Sequence, residues 1–190
     1  MDTLFRITHS SNFNTSIQAL MLIEQLASTK HLEVDRFYRT LYESLLDHRL
    51  INSSKHALYL NLMFRALKSD LNMKRVKAFA KRMMQVLTLH QPPFVCGVIF
   101  LLRELESVFP GLKSLLNDPE ANEEDEDDLG DASENVLANG SLDSAIRSFQ
   151  IQKSAKISKS YDGRKRDPEH TNANKSCLWE SVSFDKIRQT

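Results

Sequence analysis

Lys74, Arg75, Lys77, Lys81 and Arg82 put five positive charges into nine residues, and no acid occurs between Leu71 and Gln91. Bases at this density suit one kind of chemistry, the neutralisation of phosphate. Each contact releases condensed counterions, so such a face binds RNA with salt-sensitive affinity and without reading sequence. The solvated side of an ordinary amphipathic helix has the same composition. No aromatic residue is interleaved on that face, which leaves bases without a stacking platform. A second cluster, Arg164-Lys165-Arg166, suits a phosphate contact or a nuclear import signal, although it is shorter than the usual run of about five to eight. Trp179 is the only tryptophan. In a polar tail it suits docking into a groove.

Chemistry of other kinds finds no residues to perform it. None of the six histidines stands at metal-ligand spacing from another histidine or a cysteine. Glycine-rich phosphate loops and nucleophile elbows are missing. We expect no catalytic residue, no metal, no cofactor and no small-molecule substrate. Cys96 and Cys177 make no disulfide framework and suit a reducing compartment. Cys96 lies in an apolar run and reads as a buried small hydrophobe. That run, residues 94–102, is about half the roughly 20 residues a membrane span needs, so no membrane partner is expected.

The elements that must carry the basic face are helical. Over residues 33–46, Val34, Phe37, Tyr38, Leu41, Tyr42, Leu45 and Leu46 fall at steps of three and four between polar neighbours. That is the period of a helix with one buried face. Asn14 or Thr15 can cap a helix to about Ala27, and Ser53 or Ser54 one through Leu67. A fourth runs from about Asn72 to His90, with Val76, Phe79, Ala80, Met83 and Leu87 on one side and the five bases opposite. A fifth opens on Pro92-Pro93, where the missing N–H costs nothing, and stops at Pro110-Gly111. Gly97 inside it marks a close approach by a neighbouring helix. Hairpins of this kind recur about every 40 residues, the spacing of HEAT-like or armadillo-like stacks. The expected fold is therefore all-α, a fragment of an α-solenoid belonging to a longer stack.

Charge divides the chain. Residues 1–116 hold 15 lysines and arginines against 9 acids, and form the helical-repeat part. Residues 117–135 carry the run Glu123-Glu124-Asp125-Glu126-Asp127-Asp128 and should be a disordered acidic linker. Residues 136–190 read as a mostly disordered tail with one short helix and the docking segment around Trp179.

Several strings resemble the CCAAT-binding-factor (CBF/Mak-type) family. They are Ser11-Asn12-Phe13-Asn14-Thr15-Ser16, Asp35-Arg36-Phe37-Tyr38-Arg39-Thr40-Leu41-Tyr42, Arg75-Val76-Lys77-Ala78-Phe79-Ala80-Lys81-Arg82 and Gln91-Pro92-Pro93-Phe94-Val95-Cys96-Gly97. In the tail, Tyr161-Asp162-Gly163-Arg164-Lys165-Arg166-Asp167-Pro168 and Ser176-Cys177-Leu178-Trp179-Glu180 are similar too. The branch is that of CCAAT/enhancer-binding protein zeta and the first nucleolar complex protein. The resemblance implies a non-enzymatic scaffold of the nucleolus and nucleus that assembles the large (60S) ribosomal subunit. Its implied partners are pre-ribosomal RNA, the pre-60S particle and a second nucleolar complex protein. The family name also implies an alternative, a transcriptional regulator at CCAAT promoters, but no helix-turn-helix or zipper is visible. Compared with the family, the chain is short and looks like a partial or truncated member.

Overall fold

A computed structural model describes residues 1–30, 34–117 and 161–178. Every regular element among them is helical. The α-helices are α1 (Asp2–Thr8), α2 (Phe13–Lys30), α3 (Val34–Ser44), α4 (His56–Lys68), α5 (Met73–Val86), α6 (Pro92–Val108) and α7 (Ser114–Asn117), joined in places by single 3-10 turns. The acidic run, the short helix expected between residues 136 and 159, and Trp179 lie outside the described residues.

Local chemistry sets the boundaries. The side chain of Asn72 accepts hydrogen bonds from the backbone of Lys74 at 3.1 Å and Arg75 at 3.4 Å, capping α5 at the residue near which the sequence starts this helix. The start of α2 differs from expectation. Asn12 accepts from the backbone N–H of Asn14 at 2.9 Å, so the cap lies before Asn14 and Thr15. Ser53 accepts from the N–H of Lys55 at 3.1 Å, closing the turn ahead of α4 rather than capping the helix itself. Helix α1 has no counterpart in the sequence reading. Phe5 anchors it in the core, and Asp2 and Arg6 sit at the ends that suit their charges.

Helix α3 buries Phe37, Tyr38, Leu41 and Tyr42, as its period requires. Phe79 on α5 packs edge-to-face with Tyr42 at 5.0 Å between ring centroids and with Tyr38 at 6.3 Å. Tyr38 also donates its hydroxyl hydrogen to the Ala66 carbonyl at 2.8 Å, tying α3 to the last turns of α4. Burial, helped by the nearby Asp70 carboxylate, pushes this phenol up to about 12.

Helices α4 and α6 lie against each other at Gly97. A Cβ there would stand 2.6 Å from Cδ1 of Leu60, so the close approach expected at this glycine is present. Helix α6 buries Phe94, Val98, Leu101 and Leu105, a stripe at steps of four, three and four. Cys96 falls off that stripe and is exposed, which corrects its reading as a core residue.

Helix α5 departs most from expectation. Its apolar side is buried, but so are Arg75, Lys81 and Arg82 on the other side. A single amphipathic stripe leaves the opposite face to solvent; here the segment 161–178 covers Lys81 and Arg82, while Asp70 and Asp35 hold Arg75.

Candidate nucleic-acid interface

Residues 161–178 form a strap across α5. The Asp162 N–H donates to the Thr171 carbonyl at 2.9 Å, drawing the strap into a closed loop. Asp167 caps the turn Pro168–His170 by accepting from the N–H of Glu169 at 3.1 Å. Asn172 turns the chain in the left-handed region at φ 57°, a conformation that asparagine tolerates better than most residues. At its far end, the Leu178 N–H donates to the Leu115 carbonyl at 2.6 Å. Ala173 and Leu178 enter the core.

The strap is held by Lys81 and Arg82, two of the five candidate phosphate contacts. Arg82 donates to the carbonyls of Gly163 at 2.6 Å and Lys165 at 3.2 Å, and to that of Tyr42 at 3.3 Å. Burial pulls its guanidinium below the ordinary value, against the upward pull of Tyr42, Tyr161 and Glu43. The Lys81 ammonium donates to the Cys177 carbonyl and stands 5.5 Å from the centroid of the Tyr161 ring. Tyr161 in turn donates to Oε1 of Gln85 at 3.1 Å. Peptide carbonyls accept here in the way phosphate oxygens would. A buried charge is tolerable only when its donors are so occupied.

Arg75 plays a different part. It forks onto Asp70, with Nε to Oδ2 at 2.7 Å and Nη2 to Oδ1 at 3.0 Å, and reaches Asp35 at 3.1 Å. Its guanidinium carbon lies 4.2 Å from the centroid of the Tyr38 ring. Burial works against its charge, but Asp70, with Asp35 and Tyr38, outweighs it, so its affinity for the proton rises.

Of the five α5 bases, then, Arg75, Lys81 and Arg82 are interior. Lys77 is half-buried and donates to the Ser114 hydroxyl at 2.6 Å; Lys74 is exposed. In the strap, Arg164, Lys165 and Arg166 are all exposed. Arg166 pairs with Glu43 of α3. Trp179 lies beyond the last described residue.

A basic site that sequence reading missed opens between α1, α3 and the strap. Arg6, Arg36, Arg39 and Arg166 line a groove of about 340 Å³, with His9, Thr40 and the Glu43 carboxylate beside them. The four arginines come from α1, α3 and the strap. No spacing along the chain announces them, because folding alone brings them together. Among the described residues, no group of histidine, cysteine or acidic side chains is placed to hold a metal ion. No described helix is long and apolar enough to cross a membrane.

The fold and these sites define an all-helical module that closes a basic helix under its own strap and keeps further arginines on its surface. The chain belongs to the CBF/Mak21 family, whose model matches residues 16–188. It is 62% identical over 95% of its length to ribosome biogenesis protein NOC1 of Chaetomium thermophilum, and 36% identical over 95% to mouse CCAAT/enhancer-binding protein zeta. It is also 39% identical over 55% of its length to nucleolar complex protein 1 of Drosophila melanogaster. The matched regions span 17%, 20% and 9% of those relatives.

Proposed function

We propose that the chain is part of a non-enzymatic scaffold in ribosome biogenesis, acting in the nucleolus on the precursor of the large subunit. The observation that carries this reading is the 62% identity, across nearly the whole chain, to a protein named for ribosome biogenesis. The helices would form a fragment of a HEAT/armadillo-like solenoid, a rigid platform that stacks with further pairs. Pre-ribosomal RNA, the pre-60S particle and a second nucleolar complex protein are its partners in this reading. Contact with RNA phosphate falls to the outward bases, Lys74 and Lys77 on α5 and Arg164, Lys165 and Arg166 on the strap. The interior bases Arg75, Lys81 and Arg82 serve by fixing helix and strap in place. Trp179 and the acidic linker around residues 117–135 complete the tail, as a docking residue and its tether.

Sedimentation tests the reading. Full-length protein carrying this region should travel with large-subunit precursors, and RNA crosslinks should map to the region. Recovery only in free fractions ends the idea. The second reading, a regulator at CCAAT promoters, rests on the names of the mouse and human relatives. It requires binding to a CCAAT duplex that persists in high salt and fails on a scrambled duplex.

A further inference from the structure

The groove between α1, α3 and the strap gathers four guanidiniums, and each is differently held. Arg36 donates to Asp2 at 2.6 Å and lies 4.2 Å from the centroid of the Phe5 ring. Arg39 stands 3.4 Å from the Asp167 carboxylate, and Arg166 pairs with Glu43. Arg6 is exposed on the same wall. These are surface pairs between exposed or half-exposed partners, the kind worth roughly 0–1 kcal/mol each, and an incoming anion exchanges for them at little cost.

We infer that this groove is a second RNA-backbone site, in which Arg6, Arg36, Arg39 and Arg166 bind successive phosphates. The inference rests on the RNA-binding reading given above and adds to it a contact away from α5. Three observations favour nucleic acid over a peptide. The positive groups are all arginines, whose planar forks take phosphate oxygens two at a time. They come from three chain segments and line one groove, so one strand of backbone can meet several of them. The groove also has no exposed apolar anchor: Phe5 is 3% exposed and lies under the Arg36 guanidinium. Protein partners draw most of their affinity from such anchors, whereas a phosphate backbone needs none.

Binding of a short RNA stem-loop of arbitrary sequence to the whole chain, measured across a range of salt, tests the site. The triple variant Arg6→Gln/Arg39→Gln/Arg166→Gln should weaken binding about tenfold or more, and lower the slope of log affinity against log salt by about two to three. A control with the same net charge, Lys68→Gln/Arg103→Gln/Lys113→Gln, removes three exposed bases outside the groove. It should bind within about twofold of the unaltered chain if the groove is the site. Equal losses in both triples overturn the site in favour of net charge alone. An unaltered triple variant overturns it too, and leaves the RNA reading standing. Failure of the unaltered chain to bind RNA removes both. Polyglutamate that competes as well as RNA at equal charge would assign the groove to an acidic peptide instead. Should the first variant misfold, crosslinks from bound RNA in the unaltered chain decide: peptides of α1, α3 and the strap support the site, and peptides confined to α5 or α6 overturn it.

Discussion

The guanidinium carbon of Arg82 lies 3.4 Å from the centroid of the Tyr42 ring. That contact puts the charge over an aromatic face of α3, while its N–H groups reach the carbonyls of Gly163 and Lys165. One side chain on α5 thus joins α3 to a strap 81 residues further along the chain.

Removing that side chain should release the strap before it unfolds the helices. Arg82→Met keeps the apolar stem and leaves three carbonyls short of their donor. A loss of about 2–4 kcal/mol in urea unfolding is expected, the range for opening a buried polar network. Arg82→Lys keeps the charge but not the fork, and should recover less than half of the loss. Limited trypsin digestion gives an independent reading: cleavage after Arg164 and Lys165 should accelerate in Arg82→Met at temperatures where helical circular dichroism is unchanged.

Arg75 and Asp70 make a second buried pair, with side chains 10% and 3% exposed. Asp70→Ala leaves a buried guanidinium with only the exposed Asp35 carboxylate as an acidic partner and should cost about 3–5 kcal/mol. Replacing both partners with apolar residues of similar volume, Asp70→Leu/Arg75→Met, should cost much less than Asp70→Ala alone. Denaturant midpoints for the two variants check the order. If the double replacement is the worse of the two, the pair adds net stability and this account of it is wrong.

What the sequence disclosed follows from the range of each interaction. The buried stripe of α3 and the prolines of α6 depend on neighbours a few residues away, and both were legible; the contact of Gly97 with Leu60 on another helix was legible only because a lone glycine inside a helix marks a close approach. So was family membership, from its strings. The burial of Lys81 and Arg82 was not legible. Charged residues opposite an apolar stripe normally face water, and the strap that hides them carries no helical or strand period of its own. The groove of Arg6, Arg36, Arg39 and Arg166 was invisible for a related reason, since those residues meet only through the tertiary path of the chain. Helix α1, at seven residues, is too short for periodicity to register.

Gly97 offers a test of packing against propensity. Alanine is favoured over glycine inside a helix by about 1 kcal/mol. At this position the new Cβ must displace Cδ1 of Leu60 from 2.6 Å. Leu60 is half-buried and its side-chain end can rotate, so the two effects should nearly cancel, leaving Gly97→Ala within about 0.5–1 kcal/mol of the parent. In a Leu60→Ala background the clash is gone, and the same change should then stabilise by about 1 kcal/mol. Thermal or urea unfolding of the four proteins closes the cycle; equal effects of Gly97→Ala in both backgrounds would refute a contact at Leu60.

Acid should loosen the turn between α3 and α4 through Asp47. Burial works to raise this carboxyl, but the side-chain and backbone hydrogen bonds from Arg49 outweigh it and hold the pKa below the ordinary value. Nε of Arg49 donates to Oδ1 at 2.9 Å, and its backbone N–H to the same oxygen at 2.9 Å. A carboxylate depressed in the folded state binds fewer protons there than in the unfolded chain. Its stabilising effect is therefore complete above the ordinary pKa of about 4 and declines as pH falls below it, through the lower folded value. Asp47→Asn removes the titration while keeping an acceptor for the Arg49 N–H. The stability difference between parent and variant should be constant from pH 7 down to about pH 5 and shrink below pH 4. Parallel urea titrations at stepped pH measure it, and a gap that widens on acidification would reverse the sign assigned to Arg49.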